Sequence, residues 1–304
     1  MASWQAYVAS WILKRGLKPR LRAARDIFES RRLLKPPPYR VPRDVRIAAR
    51  EFGGVRGEWL ECGSGNGLVL LYLHGGGYFA CSPETHRPIT AGFARQGFRV
   101  FAPDYRLAPE HHFPAAVDDA VAVYRGVLAE HIQASDVVVA GESAGGGLAL
   151  ALMVASRDAG VPLPAAAALF SPWTDLAGTG ESLRANARRC AMFAGGPGIQ
   201  QAAGAYLNGA DPCHPLASPL YADLRGLPPL LIHVGKNEVL LDDSVRLADR
   251  ARASGVRVEL KVWTAVPHAW QLAQSTIPEA RQSLQEAGAF LQQVAAHHAS
   301  SNAR

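Results

Sequence analysis

Apolar residues along this chain follow two rhythms that take turns. LVLLYL (68–73), RVFAPDY (99–105), DVVVAG (136–141), AAAALF (165–170), PLLIHVG (229–235) and VELKVW (258–263) are short apolar runs. Their length and make-up predict strands covered on both faces, as in a parallel sheet. Ahead of them, DVRIAAREF and VRGEWLEC meet at Gly53 and Gly54 and predict an antiparallel hairpin. Helical spacing fills residues 85–96, 114–131, 145–158, 242–254 and 278–296. This alternation predicts an α/β fold: an eight-stranded, mostly parallel sheet flanked by helices.

Two stretches fall outside that rhythm. Residues 177–215 are rich in Gly and Ala with scattered Arg and suggest a cap insertion. Near the N-terminus, Trp4, Tyr7, Val8, Trp11 and Ile12 recur at helical spacing and form one apolar stripe. The expectation is that this stripe packs down on the main body as a lid; the rival reading lays a basic amphipathic helix on an anionic membrane. The organisation expected is an N-terminal helical cap segment over 1–43 and a catalytic domain over 44–298 that carries the 177–215 insertion.

Charge sharpens this division. Residues 1–50 hold 13 Lys and Arg against 3 Asp and Glu, and the remainder holds 19 against 23. The formal net charge of +6 therefore belongs to the N-terminal arm. With an acidic main body and no recognition motif, nucleic acid is not an expected partner. No run of about 18 apolar residues is present, so stable membrane insertion is not expected either. Lys14 and Arg15 follow the first apolar residues rather than precede them, the reverse of a secretory signal, which makes a cytoplasmic protein the expectation. Cys62, Cys81, Cys190 and Cys213 show no C-x-x-C spacing and suggest neither a zinc site nor a disulfide framework.

Ligands of such sheets bind beyond the carboxyl ends of the strands, and the candidate chemistry falls there. VAGESAGG places Ser143 between Gly141 and Gly145 after a strand and before a helix. Small residues at those positions allow a sharp turn that lifts the hydroxyl into the open, as a nucleophile requires. HGGG at 74–77 ends an earlier strand, and its glycines let backbone amides approach a developing oxyanion. Gly75, Gly76 and Ala144 are the expected donors. A phosphate-cradling loop is the alternative, but no P-loop Lys-Ser/Thr pair or dinucleotide fingerprint accompanies it.

A serine nucleophile needs a base, and an acid to orient that base. His111 and His112, and likewise His297 and His298, are adjacent pairs in a loop and a tail; His74 belongs to the glycine loop, and His233 reads as a core histidine inside a strand. His268 lies between the last strand and the last helix and is the expected base. Glu238, three residues beyond Gly235, is the expected acid, with Asp242 its rival. For Asp242 and Asp243 the simpler expectation is that they cap a helix and complement its dipole.

HGGGY (74–78), DYRLAPEHHFPAA (104–116), GESAGG (141–146), SPWTDL (171–176) and the GxxE…H arrangement from Gly235 to His268 occur in that order. Taken together they resemble the hormone-sensitive-lipase-like branch of the α/β-hydrolases, the bacterial family IV esterases. The resemblance spans about residues 50–295. It implies a carboxylesterase with the Ser143–His268–Glu238 triad, a helical cap, a preference for short-acyl esters, and no metal or organic cofactor. Glu142 stands where that family usually has Asp, and Glu238 where Asp is commoner. Tyr78, Phe79, Trp173, Met192, Phe193 and Trp270 are expected to line the substrate pocket, and Asp104, Tyr105 and Arg106 to brace the glycine loop. A lactone hydrolase would use the same triad. A peptidase, or a non-catalytic small-molecule receptor on the same scaffold, is the more distant alternative. The edge strand Val258 to Trp263 offers pairing with a second copy as a homodimer.

Overall fold

A computed structural model describes residues 2–302. The hairpin forms as expected, β1 (Arg46–Phe52) pairing antiparallel with β2 (Val55–Glu61). Gly53 and Gly54 make the turn with φ of 59° and 80°, a left-handed conformation that glycine adopts without strain. The six apolar runs become β3 (Val69–Leu73), β4 (Arg99–Pro103), β5 (Val137–Glu142), β6 (Ala166–Phe170), β7 (Leu230–Gly235) and β8 (Val258–Trp263). These eight strands form one sheet in the order β1-β2-β4-β3-β5-β6-β7-β8. From β4 to β8 every pairing is parallel.

The continuous apolar runs are explained by burial on both faces. Along β3, Val69, Leu71 and Leu73 enter one core while Leu70 and Tyr72 enter the other. The first core is closed by α4 (Ala115–Ala129), α5 (Ala144–Asp158) and α8 (Leu241–Ala253), the second by α3 (Arg87–Ala94) and α9 (Pro278–Asn302). A strand with both faces covered has no position for a polar alternation, so β3 and its buried neighbours show none, whereas β8 at the sheet edge is half-exposed and carries Glu259 and Lys261.

Outside this frame lie α1 (Trp4–Ala23) and α2 (Ile27–Leu33), and within the 177–215 stretch α6 (Ser182–Ala185) and α7 (Gly196–Leu207). Helix α1 corrects one expectation. Its stripe of Trp4, Tyr7, Val8, Trp11 and Ile12 faces solvent, with Trp4 70% and Trp11 56% exposed. The opposite face packs inward instead: Ala6 and Ala9 settle against Trp263, Val266, Trp270 and Ile277. Polar ties fix the helix there. The Ser3 hydroxyl donates to Glu279 at 2.7 Å, Ser10 to the Ala265 carbonyl, and the Lys18 ammonium to the Ala187 and Cys190 carbonyls at 2.6 and 2.7 Å. Arg31 anchors α2 by donating to the Phe79 and Ala108 carbonyls and to Glu110.

Leu71, fully buried in β3 near the middle of the sheet, reports on this core. Leu71→Ala removes its contacts and leaves a cavity between rigid neighbours, at a cost of about 3 kcal/mol. Urea unfolding of the two proteins should show that loss with an unchanged slope.

Candidate active site

Four strand ends converge on one place. Beyond β5, Ser143 adopts φ 54° and ψ −122°, a conformation costly for any residue with a side chain. Its backbone is pinned on both sides: its amide donates to the Phe170 carbonyl, and its carbonyl accepts from the Gly146, Gly147 and Trp173 amides. A side chain on Gly141 would run into the Gly145 carbonyl, and one on Gly145 into the Leu73 and His74 carbonyls. The two glycines therefore allow α5 to start directly under β3, and Ser143 stands at the helix mouth.

Beyond β8, His268 is buried, and its Nδ1 lies 2.5 Å from Glu238 Oε2. The other carboxylate oxygen, Oε1, accepts from the Ser171 hydroxyl and the Gly235 amide, both at 2.7 Å. Burial disfavours the imidazolium, but the facing Glu238 carboxylate, with Glu142 beyond it, outweighs this and holds the His268 pKa above its ordinary value. Ser143 and His268 line one cavity of about 650 Å3, a size that admits a small organic ligand.

The rival acid is occupied elsewhere. The Asp242 carboxylate accepts from the Ser182 amide at 2.8 Å and ties α8 to α6. Buried Asp243 accepts from the Thr174 and Asp175 amides. Both sit in the first turn of α8, yet neither caps it by a side-chain bond, because both carboxylates reach across to other segments.

The glycine loop departs from expectation by one residue. Gly76 and Gly77, with φ of 113° and 63°, line the cavity, and Gly75 does not. A side chain on Gly75 would instead overlap the buried Glu142 carboxylate. Among the described residues neither the Gly76 nor the Gly77 amide donates to another protein group. Ala144, at the first position of α5, has no intrahelical acceptor within reach. Tyr105 braces the loop as expected, donating to the His74 carbonyl at 2.6 Å and stacking on the His74 ring. Arg106 does not: it pairs with Asp119 of α4. The Asp104 amide donates to the Arg56 carbonyl of β2, so its backbone bond also runs away from the loop.

Of the aromatic and sulfur side chains expected at the pocket, Phe79, Trp173, Met192, Phe193 and Trp270 line it. Tyr78 does not; it is buried and stacks on Tyr206 with ring centroids 3.9 Å apart. Further lining comes from Leu13, Leu17 and Leu21 of α1 and from Ile199 and Ala202 of α7.

Two neighbours escaped the sequence reading. His86 is buried at the cavity with Nε2 3.4 Å from Glu142 Oε2, an ion-pair distance without hydrogen-bond geometry. Burial pushes the Glu142 carboxyl up, but the facing His86 imidazole, with His268 and His74 beyond it, outweighs this and holds it below its ordinary range. Ser171, at φ 44°, carries the hydroxyl that steadies Glu238. Neither has a signal in the chain, since His86 lies far from any motif and Ser171 only opens SPWTDL. Among the described residues no group of three or more His, Cys, Asp or Glu is placed to hold a metal ion. His233 is buried in β7 with its Nδ1 at 2.9 Å from the Ser283 hydroxyl, as a core histidine should be. The His298 side chain lies outside the described residues.

Burial also depresses His74, to about 3, and His233, to about 4. Between the ordinary pKa near 6.5 and these values, the unfolded chain binds protons that the folded rings refuse, so their contribution to stability falls as the pH drops. His233→Gln removes one of the two. From about pH 7 to about pH 5 the wild type should lose about 2 kcal/mol more unfolding free energy than the variant, as read by urea titration.

The comparisons fit this geometry. The alpha/beta hydrolase fold family matches residues 70–272. An acetyl-hydrolase of Streptomyces hygroscopicus is 45% identical over 240 residues, covering 79% of this chain and 80% of its own. An esterase of Acinetobacter venetianus is 36% identical over 248 residues, covering 81% and 82%. The crystal structure of EstE5 soaked with ethyl alcohol superposes with a TM-score of 0.93 at 39% identity, covering 97% of this chain and all of that one. An esterase from the bacterial hormone-sensitive lipase family superposes at 0.89 with 41% identity and the same coverage.

Proposed function

The chain belongs to the alpha/beta hydrolase family, among its hormone-sensitive-lipase-like esterases, and from that premise we propose that it cleaves short-acyl esters through a Ser143–His268–Glu238 triad and an acyl-enzyme. The observation that carries the reading is the His268–Glu238 contact at 2.5 Å, in the same cavity wall as a serine held in a strained turn.

The chemistry follows from those positions. His268, its Nδ1 held by Glu238, accepts the Ser143 proton as the hydroxyl oxygen attacks the ester carbonyl. Negative charge gathers on the carbonyl oxygen, where the Gly76, Gly77 and Ala144 amides serve as donors in place of the Gly75, Gly76 and Ala144 set. The carbon–oxygen bond to the alcohol then breaks, and His268 returns the proton to the leaving oxygen. Water, deprotonated by the same ring, attacks the acyl-enzyme, and collapse of the second tetrahedral species frees the acid and restores Ser143.

The cap reading extends to residues 1–43 and 177–215, both of which contribute to the cavity wall. Support for a short acyl group comes from the 45% identical acetyl-hydrolase. Small esters are the partners this site calls for. Antiparallel pairing through β8, an edge strand with Val262 exposed, is the assembly we propose for a homodimer.

Hydrolysis of nitrophenyl esters from acetate to palmitate tests the reading. Turnover should peak at short chains, and Ser143→Ala and His268→Ala should each lower it on the order of 10³-fold, with the double variant little worse. Absence of Ser143-dependent turnover across the series would overturn the reading.

A second comparison separates the acids. Glu238→Gln should lower kcat more than Asp242→Asn. Because the base works only when neutral, activity should fall as the pH drops through a His268 pKa held above 6.5, and Glu238→Gln should move that acid limb downward. An unmoved limb would remove Glu238 from the triad.

A further inference from the structure

Helix α1 has two apolar faces, and only one is used by the fold. Ala6, Leu13, Leu17 and Leu21 turn toward the body and the cavity, whereas Trp4, Tyr7, Val8, Trp11 and Ile12 stand exposed. An exposed patch of this size on one helix marks an interaction surface. Its charge indicates the occupant. Helix α1 contains Lys14, Arg15, Lys18, Arg20 and Arg22 and no acidic residue, and the Arg15 guanidinium lies over the Trp11 ring, 5.0 Å from its centroid. On a helical turn of 100° per residue, Arg15 and Arg22 fall on the same side as Trp4 and Trp11.

From this we infer that the outer face of α1 docks the enzyme on an anionic lipid surface. Tryptophan and tyrosine rings seat at the headgroup level, where one edge is apolar and the other wet, and the basic residues of the next turns meet lipid phosphates and carboxylates. A second copy of the chain fits this face poorly, because pairing across it would bring together two basic helices with no acidic residue on either to offset the charge. The inner face of the same helix forms part of the cavity wall that holds Ser143, so docking would bring the cavity within one helix diameter of the lipid. The inference does not depend on which ester is cleaved.

Cosedimentation of the full chain with vesicles tests it, using phosphatidylcholine alone and phosphatidylcholine mixed with phosphatidylserine. The expected result is binding to the mixed vesicles, weakened by salt and weak or absent on the neutral ones. Replacing two exposed aromatics, Trp4→Ser with Trp11→Ser, should lower the partition coefficient about tenfold or more. The charge pair Lys14→Glu with Arg15→Glu should lower it separately. Turnover of a soluble ester should be unchanged in both variants, which shows that each is folded, because none of the four side chains lines the cavity. No binding to the mixed vesicles, equal binding to neutral ones, or binding untouched by the tryptophan variant would each overturn the inference. Self-association that the tryptophan variant relieves, without vesicle binding, would assign the face to a second copy instead. Loss of ester turnover in the wild type would bear on the proposed chemistry and leave the vesicle result intact.

Discussion

The turn at Ser143 is the constraint on which the site rests. A residue with a side chain held at φ 54° and ψ −122° is strained by roughly 1 to 3 kcal/mol, and it persists only where its surroundings over-determine it. Here they do. Four backbone hydrogen bonds hold Ser143, and two glycines let β5, α5 and β3 approach more closely than any Cβ would allow. Because Gly145 packs on the Leu73 and His74 carbonyls, the same contact that forms the turn also fixes where the glycine loop begins. Serine and loop are therefore one construction rather than two neighbouring ones.

Beneath that construction lies a buried polar layer. Glu142 fills the space left by the absent side chain of Gly75 and faces His86, while the depressed pKa of His74 keeps that ring neutral between Tyr105 and His86. The layer explains why the family's usual Asp can be a Glu here. The carboxylate reaches a void that only glycine provides, and the His86 ring faces it. Gly75 thus leaves room for Glu142, while Gly76 and Gly77 line the cavity.

Much of this was legible in the chain, for reasons that also mark where reading stopped. Strands covered on both faces are built almost wholly of apolar residues, so the runs of β3 to β7 stood out within one or two residues of their ends, and β8, though half-exposed at the edge, followed the same rhythm. Ser143, His268 and Glu238 stood out as candidates because each follows a strand end, and strand ends are visible. Helix α1 was misread because periodicity reports a stripe and not the side that packs. Ala6, Ala9, Leu13, Leu17 and Leu21 form a second stripe of smaller residues, and close packing against Trp263 and Trp270 favours them over the bulky set. Tyr78 and Gly75 were misplaced by a similar limit. Within a loop, no period indicates which of several adjacent residues faces the ligand. Where the chain turns at Tyr78, φ 64° sends the ring back into the core, onto Tyr206.

The division of labour at Glu238 supports it over Asp242 as the acid we propose. One carboxylate oxygen is taken by the Gly235 amide and the Ser171 hydroxyl, and the other faces His268. A carboxylate so held cannot rotate away, which gives the imidazole a single orientation at little further entropic cost. Asp242 begins from the first turn of α8, its backbone directed by the helix and its oxygen already bound by the Ser182 amide. To serve His268 it would have to abandon the tie between α8 and α6. Glu238, rooted beside β7, reaches a ring rooted beyond β8 with one oxygen while the other stays fastened to the strand end from which it starts.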